Sequence, residues 1–293
     1  MTLGIEVNQL TVAYPDTTAV DRISFKLEGG KIYGLLGRNG SGKTSLLSVL
    51  ASFRKQSGGE VRIGGEAPFE NADIVSQVCF IQENGHMSDG FTVKDALQMA
   101  ASCWPNWDAA YAEKLLGQYS LPMKKRISSL SRGMKSALGV TIGLASRAPI
   151  TIFDEAYLGM DAPSRYAFYD DVLQDYMEHP RTFILSTHLI EEVGTLFEEV
   201  LILDRGKLLL QEEHDVLRQR GVTITGKADK VNEFVIGLNV LSEATLGSTK
   251  SATVYGELSG ERIKRAQAEG LELGPVSLQD LFVHLTKKGA EQA

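Results

Sequence analysis

Cysteine is scarce in this chain: Cys79 and Cys103 are the two in 293 residues. A disulfide-dense scaffold is therefore excluded. The pair could in principle bond, but in a chain of this size without a secretory leader both are expected as reduced thiols. The opening MTLGIEVNQL has no basic stretch followed by an apolar one, so no leader is expected. No apolar run approaches ~20 residues, so the chain is not expected to cross a membrane alone. Positive charge is outweighed, with 30 Lys and Arg against 37 Asp and Glu, a net charge of −7. That balance argues against broad binding to nucleic acid or anionic lipid, while leaving room for a local basic site. Low-complexity tracts and clear internal repeats are missing too. What remains is ordinary globular usage, 43% hydrophobic and 23% charged. A wholly disordered chain, a collagen and a coiled-coil rod are excluded. The length predicts roughly two domains, with one large α/β domain also allowed.

The chain opens with strand-like alternation at Ile5-Glu6-Val7, Leu10-Thr11-Val12 and Ile23-Ser24-Phe25-Lys26-Leu27. Ile32-Tyr33-Gly34-Leu35-Leu36 is a short apolar run that reads as a buried strand. A glycine-rich loop follows it, and helical spacing begins at Thr44. Further strands are expected around Val61, over Val78–Ile81, at Ile150–Phe153 and at Thr182–Leu185. Residues 93–130 change to helical patterning, broken at Trp104-Pro105-Asn106 and Leu121-Pro122, and read as a helical insertion. Helices between the strands imply βαβ crossovers and a parallel sheet. After Arg220 the pattern shifts to short strands at Val222–Ile224, Ala252–Tyr255 and Leu271–Leu273. Helices are expected there near Lys230–Leu238, Gly260–Gln267 and Leu278–Leu285. The expected division is an α/β domain over 1–215 and a small α+β accessory domain over 222–293.

Gly37-Arg38-Asn39-Gly40-Ser41-Gly42-Lys43-Thr44 satisfies G-x-x-x-x-G-K-[ST] between a strand and a helix. The glycines permit backbone angles that turn N–H groups inward around phosphates. The helix N-terminus adds partial positive charge. Lys43 supplies a mobile cation for the β and γ phosphates, and Thr44 a hydroxyl for Mg²⁺. A magnesium nucleotide needs a further acid. Asp154-Glu155 ends the apolar run Ile150–Phe153, at the carboxyl edge where parallel sheets bind ligands. Asp154 is read as the Mg²⁺ partner and Glu155 as the base that polarises an attacking water.

With these residues in hand, the chain resembles the ATP-binding subunit of an ABC transporter. The resemblance spans residues 3–215 and rests on further motifs in the family's order. Tyr14 resembles the aromatic that stacks on adenine. Gln82 resembles the glutamine that senses Mg²⁺ and the γ-phosphate, and the loop after it meets the membrane partner. Leu130-Ser131-Arg132-Gly133-Met134 resembles the LSGGQ signature, and Leu158-Gly159-Met160-Asp161 the D-loop. His188 resembles the switch histidine at the γ-phosphate. The implied fold is an α/β P-loop NTPase with an ABC-type antiparallel β subdomain, a helical insertion and the C-terminal domain.

Arg132 departs from the signature's first glycine and Met134 from its glutamine; Gly133 and Ser131 are kept. Such variants are familiar in ABC-2-type, exporter-like ATPases. Ala156 stands where a proline often follows the catalytic Glu. The runs Asp154–Asp161 and Trp104–Asp108 resemble the Ytr-type branch of Gram-positive bacteria. The resemblance implies ATP and Mg²⁺ as ligands, with Ser131, Arg132, Gly133 and Met134 of one subunit capping ATP on another. It implies a homodimer or heterodimer of ATPase subunits, separate integral membrane (permease) subunits, no nucleic acid, and a cytoplasmic position at the inner face of the membrane. A soluble ABC-type ATPase and a non-catalytic ATP-binding regulatory subunit are the alternatives.

Overall fold

The computed structural model describes residues 2–83 and 88–291. It divides into two compact units, Met1–Gln211 and Glu212–Ala293. The first unit begins with a three-stranded antiparallel sheet, ordered Thr17–Leu27, Ile5–Tyr14, Gly58–Ile63. Its alternating residues Ile5, Val7, Leu10 and Val12 are all buried. The two apolar runs seen in sequence here form one strand. Its pairing register shifts between Val7 and Leu10, where Gln9 takes a left-handed φ of 48°.

The second sheet has six strands, ordered Val78–Gln82, Ile150–Asp154, Thr182–Thr187, Ile32–Leu36, Glu199–Asp204, Lys207–Glu213. The first five pair in parallel. Every residue of Ile32–Leu36, Ile150–Asp154 and Thr182–Thr187 is buried. Continuous apolar runs suit this position, because a parallel sheet is covered on both faces. Ile32–Leu36 lies inside the sheet, so the glycine loop leaves from its interior and not from an edge. The helix after that loop, Lys43–Leu50, buries Leu46, Leu47 and Leu50 in one cluster with Ile150, Ile152 and Ile184. The loop is thus anchored from both ends.

The region read as a helical insertion holds helices Val93–Cys103 and Ala109–Gln118 and a 3₁₀ turn Ile127–Ser129. Thr92 and Asp95 close a reciprocal capping box on the first, and Asp108 caps the second through Tyr111 N–H. Helix Arg132–Ala145 then runs beneath the sheet with a fully buried stretch from Ser136 to Ala145. Elsewhere in this unit Asp175, 2% exposed, is held by the guanidinium groups of Arg147 and Arg181, the latter at 2.5 Å. Burial, with Arg147 nearby, pulls Arg181 down to about 10.

The second unit carries a four-stranded antiparallel sheet, ordered Val240–Leu246, Thr249–Tyr255, Gly221–Lys227, Glu272–Pro275. Helices Ala228–Phe234, Gly260–Glu269 and Leu278–Glu291 accompany it. Ile224, Val231, Phe234, Val254 and Leu271 form its core. Three strands went unread in sequence: Glu199–Asp204, Lys207–Glu213 and Val240–Leu246. The helix expected near Lys230–Leu238 is shorter, ending at Phe234.

Candidate functional site

The loop between Leu36 and Lys43 is shaped by glycine at two places where nothing else fits. Gly42 has φ +104°, and a β-carbon there would stand 2.2 Å from the Ala19 carbonyl oxygen. Gly37 would press its β-carbon 2.3 Å from Ser41 Oγ. A cavity of about 460 Å³ opens over this loop, lined by Asn39–Ser45 together with Glu83, Glu155, Leu158 and His188. Lys43 is 6% exposed, and burial holds its ammonium group below the ordinary lysine range. Its Nζ donates to the Gly37 carbonyl at 2.7 Å and, more loosely, to that of Arg38 at 3.4 Å. Glu155 Oε1 is 3.8 Å from the same nitrogen. The loop's cation is therefore folded back on its own carbonyls, within reach of a better anion.

Thr44 Oγ1 donates to Asp154 Oδ2 at 2.7 Å across 110 residues of sequence. Asp154 Oδ1 is buried without a hydrogen-bond partner, as are Ser41 Oγ and Ser186 Oγ. A hydroxyl and a carboxylate with an unsatisfied oxygen are hard donors that fit a small divalent cation, which keeps several waters of its own. A buried polar atom without a partner carries a cost, and a ligand here would relieve it.

Glu155 follows directly, with a left-handed φ of 53° and its N–H bonded to the Ser186 carbonyl. That bend turns its side chain toward Lys43 and His188. His188 Nδ1 is 2.6 Å from Glu155 Oε2. Tyr157, 3% exposed, brings its hydroxyl to Glu155 Oε2 at 3.1 Å and Thr187 Oγ1 at 2.7 Å.

The remaining expected residues fall into three places. Tyr14 is 39% exposed and its hydroxyl lies 3.2 Å from Ser45 Oγ. The Arg54 guanidinium covers one face of its ring at 3.8 Å. Gln82 pairs in register with Asp154 but lines a different, larger cavity of about 570 Å³. Its neighbour Glu83 is the residue that lines both cavities. The loop beyond it, residues 84–87, lies outside the described residues. Ser131 caps helix Arg132–Ala145 by accepting from Met134 N–H at 3.2 Å. Gly133 runs so close to the Gly159 carbonyl that a β-carbon would lie 2.6 Å from its oxygen. Ser136 Oγ donates to the Leu158 carbonyl, and Asp161 Oδ1 caps the next helix through Ser164 N–H. The segment around Gly133 is thereby fastened to the segment Leu158–Asp161 of its own chain.

Sequence reasoning missed three partners: Arg54 on Tyr14, Tyr157 between Glu155 and His188, and Glu83, whose carboxylate pairs with the Arg132 guanidinium. Arg132 carried a signal for the last, since a long cation at a glycine position needs a counter-charge somewhere.

Residues 20–158 match the family described as ABC transporter. These residues form an ABC transporter domain. The chain is also similar to curated proteins over a longer span. ABC transporter ATP-binding protein YtrB of Bacillus subtilis is 25% identical over 95% of this chain and 97% of its own. Bacitracin transport ATP-binding protein BcrA of Enterococcus faecalis is 29% identical over 74% of this chain and 71% of its own. Among solved structures, an ATP binding subunit of an ABC transporter superposes with TM-score 0.66 at 22% identity, covering 75% of this chain and 93% of the other. A dimeric post-hydrolysis ATP-binding cassette bound to ADP and Pi gives TM-score 0.64 at 16% identity, covering 72% and 98%. These structures share the ABC fold. No described helix of the chain is long and apolar enough to cross a membrane.

Proposed function

We propose that this chain is the ATP-hydrolysing subunit of an ABC transporter that drives export through separate membrane subunits. The observation that carries the reading is the single cavity that gathers Lys43, Thr44, Glu155 and His188, with Asp154 bonded to Thr44 at its wall. A triphosphate suits that cavity. The backbone of the glycine loop, a helix N-terminus and one buried ammonium supply positive potential, and Tyr14, with Arg54 on one ring face, offers the other to a base.

The chain's own residues divide the work. Lys43 exchanges its carbonyl partners for phosphoryl oxygens and takes up negative charge as it develops. Thr44 and Asp154 would hold Mg²⁺, which when bound would withdraw charge from the phosphoryl oxygens. Glu155 accepts a proton from the attacking water, and His188 faces the γ-phosphate end. Ser131, Arg132, Gly133 and Met134 cap the nucleotide of a second ATPase subunit, a homodimeric or heterodimeric partner. Pairing is favoured with ATP bound and lost after hydrolysis, a population shift driven by the ligand.

The cavity of about 570 Å³ beside the helical insertion supports a docking role for the membrane partner. Phe53, Phe80, Phe91, Met99 and Trp104 line it, an apolar surface suited to a helix end of a permease. Glu83 lines both this cavity and the one over the glycine loop, and it pairs with Arg132 in the larger one, which gives a route by which docking could be felt at the nucleotide. Residues 1–215 form the motor and 222–293 an accessory domain in this reading, working at the inner face of the membrane. The names of relatives such as BcrA and the doxorubicin resistance ATP-binding protein DrrA support export of drugs or envelope-active compounds.

The test is Glu155→Gln in the full chain. The variant is expected to bind ATP as the parent does, to hydrolyse it at least a hundredfold more slowly, and to accumulate as a dimer on gel filtration with MgATP. Parent-like turnover would refute the assignment of Glu155 as the base.

A further inference from the structure

Tyr157 occupies a position to which the phosphate chemistry assigns nothing, yet its hydroxyl is the most connected polar atom beside Glu155. Four groups surround it: Glu155 Oε2 at 3.1 Å, Thr187 Oγ1 at 2.7 Å, His188 N at 3.3 Å and His188 Nδ1 at 3.4 Å. The direction of each bond follows from counting protons. Thr187 Oγ1 accepts the Leu189 N–H at 2.9 Å. Its own proton remains to be placed, and a Tyr157 hydroxyl that gives its proton to the Glu155 carboxylate accepts that proton 2.7 Å away. That oxygen also accepts the His188 N–H. With its acceptor capacity taken by these two donors, the phenol has one proton left to place. The carboxylate oxygen Glu155 Oε2 can only accept when ionised, so the proton goes there. Burial raises the phenol's pKa well above the ordinary tyrosine value, which keeps that proton in place.

The same carboxylate oxygen receives His188 Nδ1 at 2.6 Å. Two donors thus converge on one oxygen, leaving Glu155 Oε1 as the oxygen that faces Lys43 at 3.8 Å. For His188 the consequence is tautomeric: its Nδ1 carries a proton. We propose that Tyr157 is a positioning residue that orders Leu189 N–H, Thr187, its own hydroxyl and Glu155 into a one-way hydrogen-bond chain. This chain fixes which Glu155 oxygen is available as base and which His188 nitrogen is protonated. The inference rests on the ATPase reading given above. It also explains the packing. Tyr157 lies in an aromatic cluster, with ring centroids 6.3 Å from Tyr169 and 6.3 Å from His188, so its hydroxyl is held and does not search for partners.

The decisive variant is Tyr157→Phe, which keeps the ring and removes the hydroxyl; Thr187→Val breaks the chain one link earlier and guards against a packing artefact. Two readouts are taken on the full chain. Steady-state ATP hydrolysis with Mg²⁺ should show kcat lowered roughly ten- to hundredfold with KM within about twofold, since a hydrogen bond to a charged acceptor is lost near the base and not at the nucleotide. Nitrogen-15 spectra of the histidine rings, with His188 assigned through His188→Gln among the five histidines, should show Nδ1 protonated in the parent and a mixed tautomer in Tyr157→Phe. Thr187→Val should move both readouts in the same direction by less. An unchanged His188 signature in Tyr157→Phe, or kcat within twofold of the parent, overturns the proposal. Should the parent fail to hydrolyse ATP, the ATPase reading falls, while the His188 spectra still decide what Tyr157 holds.

Discussion

Replacing Lys43 by alanine removes the one Lys or Arg in the described lining of the cavity over the glycine loop, the proposed nucleotide site. Two unit charges about 4 Å apart interact by about 4 kcal/mol at an effective dielectric constant near 20. Glu155, at 3.8 Å, already draws on the same ammonium group, so the whole amount is not open to an incoming phosphate. Burial acts the other way, because a partly dehydrated cation gains more from a new anion than a solvated one. A net loss of about 2–4 kcal/mol is expected, a Kd weaker by roughly 30- to 1,000-fold. The loss is larger if Glu155 and Asp154, freed of their counter-charge, repel the triphosphate. The assay is a titration of the full chain with a fluorescent ATP analogue and Mg²⁺, beside a thermal melt without nucleotide. The melting midpoint should move little, since removing a dehydrated ammonium offsets the loss of its carbonyl bonds. A Kd within threefold of the parent would show that the loop's N–H groups hold phosphate without Lys43, and the electrostatic reasoning would fail.

Three further outcomes are expected beyond the tyrosine test. Glu155→Gln should separate binding from turnover, read as unchanged nucleotide affinity with hydrolysis slowed at least a hundredfold. Arg132→Gly removes the pair with Glu83 and should leave hydrolysis within roughly tenfold, about 1.4 kcal/mol of barrier; a much larger fall in kcat would show that Arg132 reaches phosphate. Asp175→Asn strands Arg181, 5% exposed, without its carboxylate, while Arg147 keeps Asp108 at 3.0 Å, and should cost about 3–5 kcal/mol of stability. Urea unfolding measures it, and a change below about 1 kcal/mol would mean that water reaches the arginines.

Local chemistry was legible in the sequence, and contacts across the chain less so. The glycine loop could be read because its whole argument lies within eight neighbouring residues, bracketed by an apolar strand and a helix. Asp154 beside Thr44 could be anticipated as well, since carboxylates at strand ends gather along one edge of a parallel sheet. Strand Glu199–Asp204 was hidden because its apolar run sits between acidic residues and a turn, with no motif to announce it. Val240–Leu246 was hidden for another reason: it is a sheet edge without a fully buried residue, so alternation never develops. The pairing of Glu83 with Arg132 joins elements 49 residues apart, and no spacing rule connects them. Gln82 was expected at the phosphates and instead lines the neighbouring cavity. Its register with Asp154 fixes the backbone, while the side-chain direction depends on the loop that follows.

The close approach of Gly133 to the Gly159 carbonyl, together with the Ser136 bond to Leu158, has a mechanical meaning. Backbone pressed on backbone, with one short serine bond beside it, leaves little slack, so the start of the long helix and the turn before Asp161 are expected to travel as one piece. A second protomer that pushes on either would displace both, and with them Leu158 in the wall of the opposite cleft. News of a neighbour's cargo would thus arrive beside Glu155 by rigid transmission, with no flexible linker to blunt it.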